Sequence, residues 1–232
     1  MDPQPANSSS DIKERLKASY DAIAPAYNEW TIPHSKVRMK YLDAALDHLN
    51  LQASAPNPTF LELGCGCGLP VTKKLLAVHP AAKVIANDLS DKQISLARDN
   101  LLTGPEDATA HRLELIPGDM NALSFPAASL DLVAGFYSII HLPRAEQTAL
   151  LSRIAHWLKP GGCFVANFSA EESESAVAET WLDESKGWMF WSGWGKEKTL
   201  ESMKEAGFEV LVADVETDEV DATSFLWVIA KR

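Results

Sequence analysis

The sequence predicts an α/β fold: a doubly wound, mainly parallel seven-stranded sheet with one antiparallel strand near the C-terminus, and a helical cap at the N-terminus. Three observations lead to this prediction. From residue 59 onward, short apolar runs alternate with amphipathic stretches, which is the order of strands and crossover helices in a parallel sheet. Residues typical of helix ends flank several amphipathic stretches. The connector between the last two apolar runs is too short for a parallel return.

The N-terminal part of the chain differs in composition from the rest. Residues 1–10 are polar and Pro-rich, and we expect a flexible end there. Residues 11–58 are expected to form the helical cap. In its first helix, apolar residues recur at intervals of three or four until Pro25, which is expected to end the helix. A second cap helix is expected over about residues 35–50.

Residues 59–232 are expected to form the sheet domain. Pro70 is placed to begin one helix, Ser90 begins a capping box, and Pro143 opens a further helix. The sequence KPGG at residues 159–162 is expected to close that last helix. The apolar runs expected to form parallel strands are residues 59–63, 83–88, 113–117, 130–137 and 162–168.

The C-terminal part of the chain has a different pattern. A helix near residues 196–206 precedes expected strands at 209–216 and 225–230, which an acidic turn at 217–222 joins. A parallel return needs a crossover of about a dozen residues, so these two strands are expected to form an antiparallel hairpin. Residues 170–195 fit no strand or long helix and are interpreted as an insertion.

Composition and charge exclude several classes of function. The chain has 232 residues, with 21 Lys and Arg against 32 Asp and Glu and a formal net charge of −11. This charge disfavours binding to nucleic acids and to anionic membranes. No apolar run reaches the roughly 18 residues of a membrane-spanning helix, the three cysteines make no disulfide framework, and we do not expect residues 1–10 to act as a secretory signal. We therefore expect a cytoplasmic protein, its oligomeric state being left open.

A glycine-rich bend follows the first expected strand. Gly64, Gly66 and Gly68 alternate with cysteines, and glycine lets the backbone turn sharply and lets a ligand lie against bare main chain. Asp88, twenty residues after Gly68 at the end of the second strand, can accept both hydroxyl hydrogens of a ribose. Together these features predict a nucleoside-containing cofactor, although the third glycine of the dinucleotide fingerprint is missing.

The run of motifs around this bend resembles that of the class I S-adenosylmethionine-dependent methyltransferases, in their small-molecule, type 11/25 branch. The likeness covers roughly residues 59–169 in order and spacing, and it implies a Rossmann-like sheet. In the cap, YDAIA at residues 20–24 is similar to the cap helix of the same branch. The motifs that carry the resemblance are LELGCGCG (61–68), NDLS (87–90), GDMN (118–121), FPAASLDLV (125–133) and LKPGG (158–162).

The resemblance implies S-adenosyl-L-methionine as the cofactor and assigns contacts along its whole length. At the methionine end, the implied contacts are Glu62 with the amino group, Tyr20 and Tyr27 with the carboxylate, and the bend residues Gly64, Cys65 and Gly66. At the nucleoside end, they are Asp88 with the ribose hydroxyls, Leu89 and Met120 with the adenine ring, and Asp119 with the adenine amino group. Phe136 and Tyr137 would close over the sulfonium.

Several of these residues also have a purely structural interpretation. Asp88 could cap a helix, and Asp119 could be a turn residue. Tyr20 and Tyr27 could be core aromatics. The thiols of the bend lack a second pair at zinc spacing, so no metal is expected.

Tyr137 and His141 are the candidate catalytic residues. Methyl transfer from a sulfonium is an in-line displacement, and alignment alone can lower its barrier by up to about 7–11 kcal/mol. The imidazole of His141 has an ordinary pKa near 6.5, which suits proton removal at neutral pH; alternatively it caps the next helix or packs under the cofactor. Residues 135–138 read GFYS and not the Asn/Asp-Pro-Pro-Tyr/Phe turn of enzymes that methylate nucleobase or glutamine amino groups, so nucleic acids are not expected substrates.

Large aromatic residues are concentrated in the insertion at residues 170–195. Glycines between them are typical of a mobile lid over a hydrophobic or aromatic ligand, or over a cation held by ring faces. Alternatively, the segment wraps the open edge of the core. The candidate acceptor-binding residues are Trp188 and Trp191 in this segment and Trp30 and His34 in the cap.

The sequence thus predicts an S-adenosylmethionine-dependent methyltransferase that acts on an O, N or S nucleophile of a small molecule by in-line displacement. A dinucleotide-dependent oxidoreductase is an alternative that the glycine spacing disfavours. A protein methyltransferase and a cofactor-binding partner without activity are further alternatives.

Overall fold

The computed structural model describes residues 8–49, 57–102, 104, 108–217 and 223–232. The strands are β1 (Thr59–Leu63), β2 (Lys83–Asp88), β3 (Leu113–Pro117), β4 (Leu130–Gly135), β5 (Leu158–Ser169), β6 (Glu172–Ala178), β7 (Met189–Trp194), β8 (Glu209–Thr217) and β9 (Ser224–Lys231). The α-helices are α1 (Ser9–Thr31), α2 (Lys36–Leu49), α3 (Val71–Val78), α4 (Asp91–Leu101), α5 (Arg144–Trp157) and α6 (Gly195–Glu205). No helix in these ranges combines the length and the hydropathy needed to cross a bilayer.

Seven strands form one sheet in the order β3-β2-β1-β4-β5-β9-β8. The first five strands of the chain pair in parallel, and β9 pairs antiparallel with both β5 and β8. The predicted sheet, mainly parallel with one antiparallel strand, is therefore confirmed. Of the expected acidic turn between β8 and β9, residues 218–222 lie outside the described residues.

The strand order reverses at β1. Strands β2 and β3 extend from β1 on one side, whereas β4 and β5 extend on the other. Open parallel sheets bind ligands at the carboxyl ends of the strands where this reversal occurs. The ends of β1, β2 and β4 therefore mark the place for a site.

The two faces of the sheet support separate hydrophobic cores. Successive side chains of a strand point to opposite faces, so Leu61 and Val133 share one core with Ile154 of α5. Their neighbours Phe60 and Leu132 belong to the second core, which α2, α3 and α4 cover. This double cover explains why the central strands read as continuous apolar runs.

The predicted strand positions differ from the structure at two ends. β4 stops at Gly135, two residues before the expected end, because Tyr137 has a left-handed backbone. β5 begins at Leu158, four residues before its expected start, and includes the KPGG residues expected to close the preceding helix. Helix α5 ends at Trp157 and the chain passes directly into the strand.

Helix α1 begins earlier and ends later than predicted. The Ser8 hydroxyl accepts from the backbone N–H of Asp11, and the Asp11 carboxylate accepts from that of Ser8. Ser9 and Ser10 are therefore helical and not part of a flexible end, and residues 1–7 lie outside the described residues. The prediction that Pro25 ends the helix is wrong, since the helix continues to Thr31.

Tertiary contacts explain why α1 passes through Pro25. A proline in a helix interior lacks an N–H and crowds a carbonyl, at a cost of about 3 kcal/mol. Beyond the proline, Tyr27 contacts three aromatic rings. Asn28 exchanges hydrogen bonds of 3.0 and 3.1 Å with Gln93 of α4. These contacts, together with the burial of Ile23 before the proline, offset the local cost.

The segment expected to be an insertion without strands contains the hairpin β6–β7, so this expectation is wrong. The two strands pair antiparallel, with an irregular register between Ser173 and Ala176. Most residues of β6 are exposed, so the alternation that marks a half-buried strand is missing from the sequence. β7 places Met189 and Phe190 in a hydrophobic cluster with α1.

Two valines offer a matched test of the core. Val133 in β4 is 0% exposed, whereas Val215 in β8 is 46% exposed. Because Val133→Ala leaves a cavity in a sealed core, we expect the free energy of unfolding to fall by about 2–3 kcal/mol. Val215→Ala should cost less than about 0.5 kcal/mol. Urea unfolding measures both, and equal losses would contradict the burial of Val133.

Candidate active site

Three glycines in the left-handed conformation build the bend after β1. Their φ angles are +73° at Gly64, +54° at Gly66 and +77° at Gly68, a region that residues with a side chain rarely adopt. A Cβ at Gly64 would lie 2.3 Å from Cβ of Ser138, and one at Gly68 would lie 2.6 Å from Cδ1 of Leu101. A Cβ at Gly66 would meet no atom within 4 Å. Gly64 and Gly68 thus allow close packing, and Gly66 leaves open space.

A cleft lies over this bend, between the carboxyl ends of the central strands and helix α1. Every predicted cofactor contact except Glu62 and Cys65 lines it, including Leu89, Met120 and Phe136. The candidate catalytic residues Tyr137 and His141 line it as well. The structure therefore brings together residues that are up to 121 positions apart in the chain.

Asp88 at the end of β2 holds the bend in place. Its carboxylate accepts from the backbone N–H of Gly66 at 2.8 Å and from that of Ser90 at 2.9 Å. Burial raises the pKa of Asp88 to about 6, although these two hydrogen bonds lower it. Each carboxylate oxygen retains a further lone pair, so Asp88 can also accept from hydroxyl groups of a ligand in the cleft.

Glu62 lies behind the bend and does not line the cleft. Its side chain is buried, and its carboxylate accepts from the Thr72 hydroxyl. Burial raises the pKa of Glu62 to about 8, although the Thr72 hydroxyl and the Arg38 guanidinium lower it. The neutral form therefore predominates at pH 7, and Glu62 supports the bend through Thr72.

Cys65 also lies beneath the bend, where it packs with Ala86 and Ile94. Burial raises the pKa of its thiol well above the usual range. Cys65, Cys67 and Cys163 are buried and free. In the described part of the chain, no group of three or more His, Cys, Asp or Glu side chains is placed to hold a metal ion.

The far end of the cleft contains an ion pair that sequence reasoning missed. Lys13 Nζ of α1 lies 2.7 Å from the Asp119 carboxylate and 2.6 Å from that of Glu146. Burial lowers the pKa of Lys13, but hydrogen bonds to both carboxylates raise it above the usual value. Asp119 also accepts from the backbone N–H of Asn121 at 2.9 Å, which is the turn role considered above. Lys13 and Asp119 are 106 residues apart, so no local spacing connects them.

His141 bonds to protein groups through both ring nitrogens. Its Nδ1 lies 2.7 Å from the carbonyl oxygen of Phe190, and its Nε2 lies 2.8 Å from the hydroxyl of Tyr20. A carbonyl oxygen only accepts, so Nδ1 carries the proton and Nε2 accepts from the Tyr20 hydroxyl. Burial lowers the pKa of His141 to about 4, although the Phe190 carbonyl raises it. The imidazole is therefore neutral at physiological pH.

Tyr137 occupies a strained position after β4. Its φ of +54° is uncommon for a bulky residue and costs on the order of 1–3 kcal/mol. The backbone N–H of Tyr137 donates to Oδ1 of Asn167 at 2.7 Å. The side-chain hydroxyl of the next residue, Ser138, donates to the carbonyl of Leu63 at 2.7 Å. These bonds tie the turn to β5 and β1 and hold the Tyr137 ring in the wall of the cleft.

A second cavity of about 340 Å³ adjoins the cleft on the side of the β6–β7 hairpin; it is termed the aromatic cavity. Tyr20, Tyr27, Tyr137 and His141 line both the cleft and this cavity. The two spaces therefore share one wall.

The predicted acceptor-binding residues separate into two groups. Trp30, His34 and Trp191 line the aromatic cavity. Trp188 does not line either space: it is buried in the cluster beneath α1, where the Arg15 guanidinium lies 4.0 Å from its ring centroid. A large aromatic residue can either pack under a helix or line a cavity, and both places favour the same residue types.

Trp181 belongs to the aromatic segment but is not among the predicted acceptor-binding residues, yet it lines the aromatic cavity. Its ring contacts those of Tyr20, Tyr27, Trp30 and Trp191, at centroid distances of 5.5–6.4 Å. The only signal for it in the sequence was its place in the aromatic segment.

The match to a known family follows this geometry. Residues 60–162 match the sequence model of a family described as a methyltransferase domain. Residues 60–162 thus have the sequence of a methyltransferase domain. The match extends from the first residues of β1 into the start of β5, so it includes the glycine bend, Asp88 and Asp119.

Several curated methyltransferases are similar to this chain. The 24-methylenesterol C-methyltransferase 2 of Oryza sativa subsp. japonica is 25% identical over 170 residues, covering 70% of this chain and 44% of that protein. The 2-methyl-6-phytyl-1,4-hydroquinone methyltransferase of Synechocystis sp. is 26% identical, covering 70% and 56%. The demethylmenaquinone methyltransferase of Lactococcus lactis subsp. lactis is 30% identical, covering 65% and 56%. The chain thus spans about half the length of the curated relatives it matches.

Solved structures share the fold at lower identity. The 1,6-didemethyltoxoflavin-N1-methyltransferase of Burkholderia thailandensis superposes with a TM-score of 0.67 at 16% identity, over 100% of this chain and 92% of that one. The [4+2]-cyclase SpnF superposes with the same TM-score at 16% identity, over 98% of each chain. One fold thus carries more than one chemistry, and function must be argued from the site.

We expect Glu62 to make the stability of the methyltransferase domain depend on pH. A carboxyl whose pKa rises from 4.5 to about 8 on folding contributes stability that is present below pH 4.5 and lost as the pH rises through 8. Glu62→Gln keeps an acceptor for Thr72 and does not ionise. The free energy of unfolding of the variant should therefore increase relative to that of wild type as the pH rises from about 5 to 9. Urea unfolding measures this, with exposed Glu29→Gln as the control. A difference that does not change with pH would disprove the burial effect.

We expect His141 to make the stability of the protein fall as the pH falls, the opposite of the dependence expected for Glu62. Its pKa falls from 6.5 to about 4 on folding, so its contribution to stability is present above pH 6.5 and lost as the pH falls through 4. Gln at this position can accept from Tyr20 and donate to Phe190 without titrating. His141→Gln should therefore lose less stability than wild type between about pH 6.5 and 4. Denaturant titrations test this against exposed His156→Gln, whose acid loss should match that of wild type.

Proposed function

We propose that this protein transfers a methyl group from S-adenosylmethionine to a small molecule. The observation that carries the proposal is the wall of Tyr20, Tyr27, Tyr137 and His141 that the cleft and the aromatic cavity share. In-line transfer requires the cofactor on one side of this wall and the acceptor on the other, with the reacting atoms at a near-attack distance. Two adjoining spaces, one lined by polar groups and one largely aromatic, supply that arrangement.

The nucleoside half of the cofactor fits the polar end of the cleft. Asp88 would accept from the ribose hydroxyls, and the open space beside Gly66 admits a ligand against the main chain. Asp119 would accept from the adenine amino group, with Leu89 and Met120 against the ring. When bound, S-adenosylmethionine supplies an activated methyl group, so the protein itself needs only to bind, align and exclude water.

The methionine half would lie against Gly64 and Phe136, within reach of the Tyr20 and Tyr27 hydroxyls. Glu62 has no contact with the cleft, so we assign it an indirect role: it holds the bend through Thr72. Cys65 would likewise act by packing. These assignments keep the predicted order of contacts along the cofactor, except that Glu62 and Cys65 lie behind the bend and act on it indirectly.

His141 would act through Tyr20. Its Nε2 already accepts from the Tyr20 hydroxyl, so an acceptor in the aromatic cavity meets the tyrosine oxygen before the imidazole. A nucleophile that loses a proton could pass it to the Tyr20 oxygen, while the Tyr20 proton moves to His141. His141 is a positioning residue in this scheme, and it also stores the proton.

Helix α1 would seal the cleft during transfer. The Asp21 carboxylate accepts from the Ser90 hydroxyl at 2.6 Å and from the Lys92 backbone at 3.0 Å. Lys17 adds an ion pair with Asp91 at 2.6 Å. These contacts join α1 to the start of α4, beside the end of β2.

A small acceptor also agrees with the charge of the chain. A net charge of −11 disfavours nucleic acids as substrates. The three cysteines are buried and form no disulfide, which supports a reducing compartment such as the cytoplasm as the place of action.

Asp88→Ala tests the donor site. It removes the proposed acceptor for two ribose hydroxyls, so we expect the affinity for S-adenosylhomocysteine to fall about 10- to 100-fold, as for lost hydrogen bonds to a charged group. In the wild type, the affinity should also fall as the pH drops below about 6, where the Asp88 carboxylate is protonated. Isothermal titration calorimetry measures both effects.

The control for this variant is the exposed Asp47→Ala in α2, which should bind S-adenosylhomocysteine as wild type does. Circular dichroism checks that Asp88→Ala remains folded. If Asp88→Ala binds as tightly as Asp47→Ala, or if NAD alone raises the melting temperature of the wild type, the proposed function is wrong.

A further inference from the structure

We infer that the acceptor is an uncharged aromatic molecule with a hydrogen-bond donor at the end away from the reacting atom, recognised by His34. This inference rests on the proposed function and names the substrate class of the aromatic cavity. It depends on three observations: the arrangement of the rings, the absence of charged side chains among the described residues of the lining, and the unused nitrogen of His34.

The rings of the aromatic cavity pack against one another. Trp181 makes edge-on contacts with Tyr20, Trp30 and Trp191, at interplanar angles of 77°, 73° and 79°. A cage for a cation needs several ring faces turned toward one point, whereas here neighbouring rings already cover one another. Such a wall offers an apolar surface against which a flat ring can lie.

The position of Trp181 is held by its backbone. Leu182 and Asp183 have φ angles of +55° and +58°, and Trp181 pairs with Glu184 across this tight turn. Left-handed backbone at two residues other than glycine costs energy and persists only where the surroundings impose it. A Cβ at Gly187 would lie 2.5 Å from the carbonyl oxygen of Trp181. The backbone thus fixes the position of Trp181 in the wall of the aromatic cavity.

No Lys, Arg, Asp or Glu among the described residues lines the aromatic cavity. A charged acceptor that moved from water into this cavity would lose its hydration and find no side chain of opposite charge there. Burial of an unpaired charge costs free energy. An anion would also meet a chain with a net charge of −11. The cavity therefore favours neutral molecules over carboxylates, phosphates and ammonium ions.

His34 supplies the polar recognition. Its Nδ1 lies 2.5 Å from the carbonyl oxygen of Trp30, so Nδ1 donates and Nε2 is left as an acceptor. Within the described ranges, Nε2 has no hydrogen-bond partner, and His34 lines the aromatic cavity. A hydroxyl or N–H group on the acceptor could donate to it.

The reacting group would be a hydroxyl at the opposite end, beside the shared wall of Tyr20, Tyr137 and His141. The acceptor oxygen forms a bond with the methyl carbon as the bond from that carbon to sulfur breaks, and the bonding pair stays on sulfur. The hydroxyl proton passes to Tyr20, whose own proton passes to Nε2 of His141 and later to solvent. No other reactant is needed.

A matched set of naphthalenes tests the inference with the full chain and S-adenosylmethionine. The set is 2,6-dihydroxynaphthalene, 2-naphthol, 6-hydroxy-2-naphthoate and the 6-hydroxy-2-naphthyl trimethylammonium ion. We expect kcat/KM, measured from release of S-adenosylhomocysteine and the mass of the product, to be highest for 2,6-dihydroxynaphthalene. It should exceed that of 2-naphthol and of each charged compound by about tenfold or more. A charged compound that equals or exceeds it would overturn the inference.

His34→Ala separates recognition from general packing. It should remove the roughly tenfold preference for 2,6-dihydroxynaphthalene over 2-naphthol, so that kcat/KM falls about tenfold more for the first compound than for the second. His48→Ala, an exposed histidine of α2, should keep the preference. If His34→Ala keeps it too, His34 does not recognise the acceptor.

Binding measurements distinguish failure of this inference from failure of the proposed function. Tryptophan fluorescence reports binding of the naphthalenes in the presence of S-adenosylhomocysteine, whether or not turnover occurs. If S-adenosylhomocysteine binds but no neutral naphthalene does, the inference is wrong and the donor site stands. If S-adenosylhomocysteine itself does not bind, the proposed function fails first.

Discussion

The backbone N–H groups of Gly64 and Cys65 both donate to the carbonyl of Asn87, at 2.8 and 2.9 Å, so the bend after β1 is tied to the end of β2. Asp88 continues this connection by accepting from Gly66 at 2.8 Å. On the other side, Ser138 donates to the carbonyl of Leu63 at the end of β1. The carboxyl ends of three strands are thus joined by polar contacts, and the residues of the bend take their positions from them.

Helix α1 covers this edge of the sheet and lines part of the cleft and part of the aromatic cavity. It reaches the cleft with Lys13, both spaces with Tyr20 and Tyr27, and the aromatic cavity with Trp30. Polar bonds attach it to α4, whereas an apolar cluster attaches it to β7. Because one helix lines both spaces, the positions of donor and acceptor are coupled through its packing.

Burial shifts the titratable groups of this region toward their neutral forms. It raises the pKa of Glu62 and of Asp88 and lowers that of His141, as desolvation disfavours charge in either direction. Of these three groups, His141 belongs to the wall between cleft and aromatic cavity, and its neutral imidazole adds no charge to that wall at neutral pH. A water-poor, weakly charged wall suits a reaction in which the cofactor brings the activation and the protein brings the alignment.

The sequence by itself determined the sheet, the glycine bend and the acidic residue one strand away, because apolar periodicity and motif spacing are local and are read within a short window. Tertiary structure decided the rest. Passage of α1 through Pro25, the pairing of Lys13 with Asp119, and the placement of Trp181 in the cavity wall while Trp188 is buried all depend on contacts between residues far apart in the chain. Such contacts exist only once helices and strands have packed, so no window of sequence contains them.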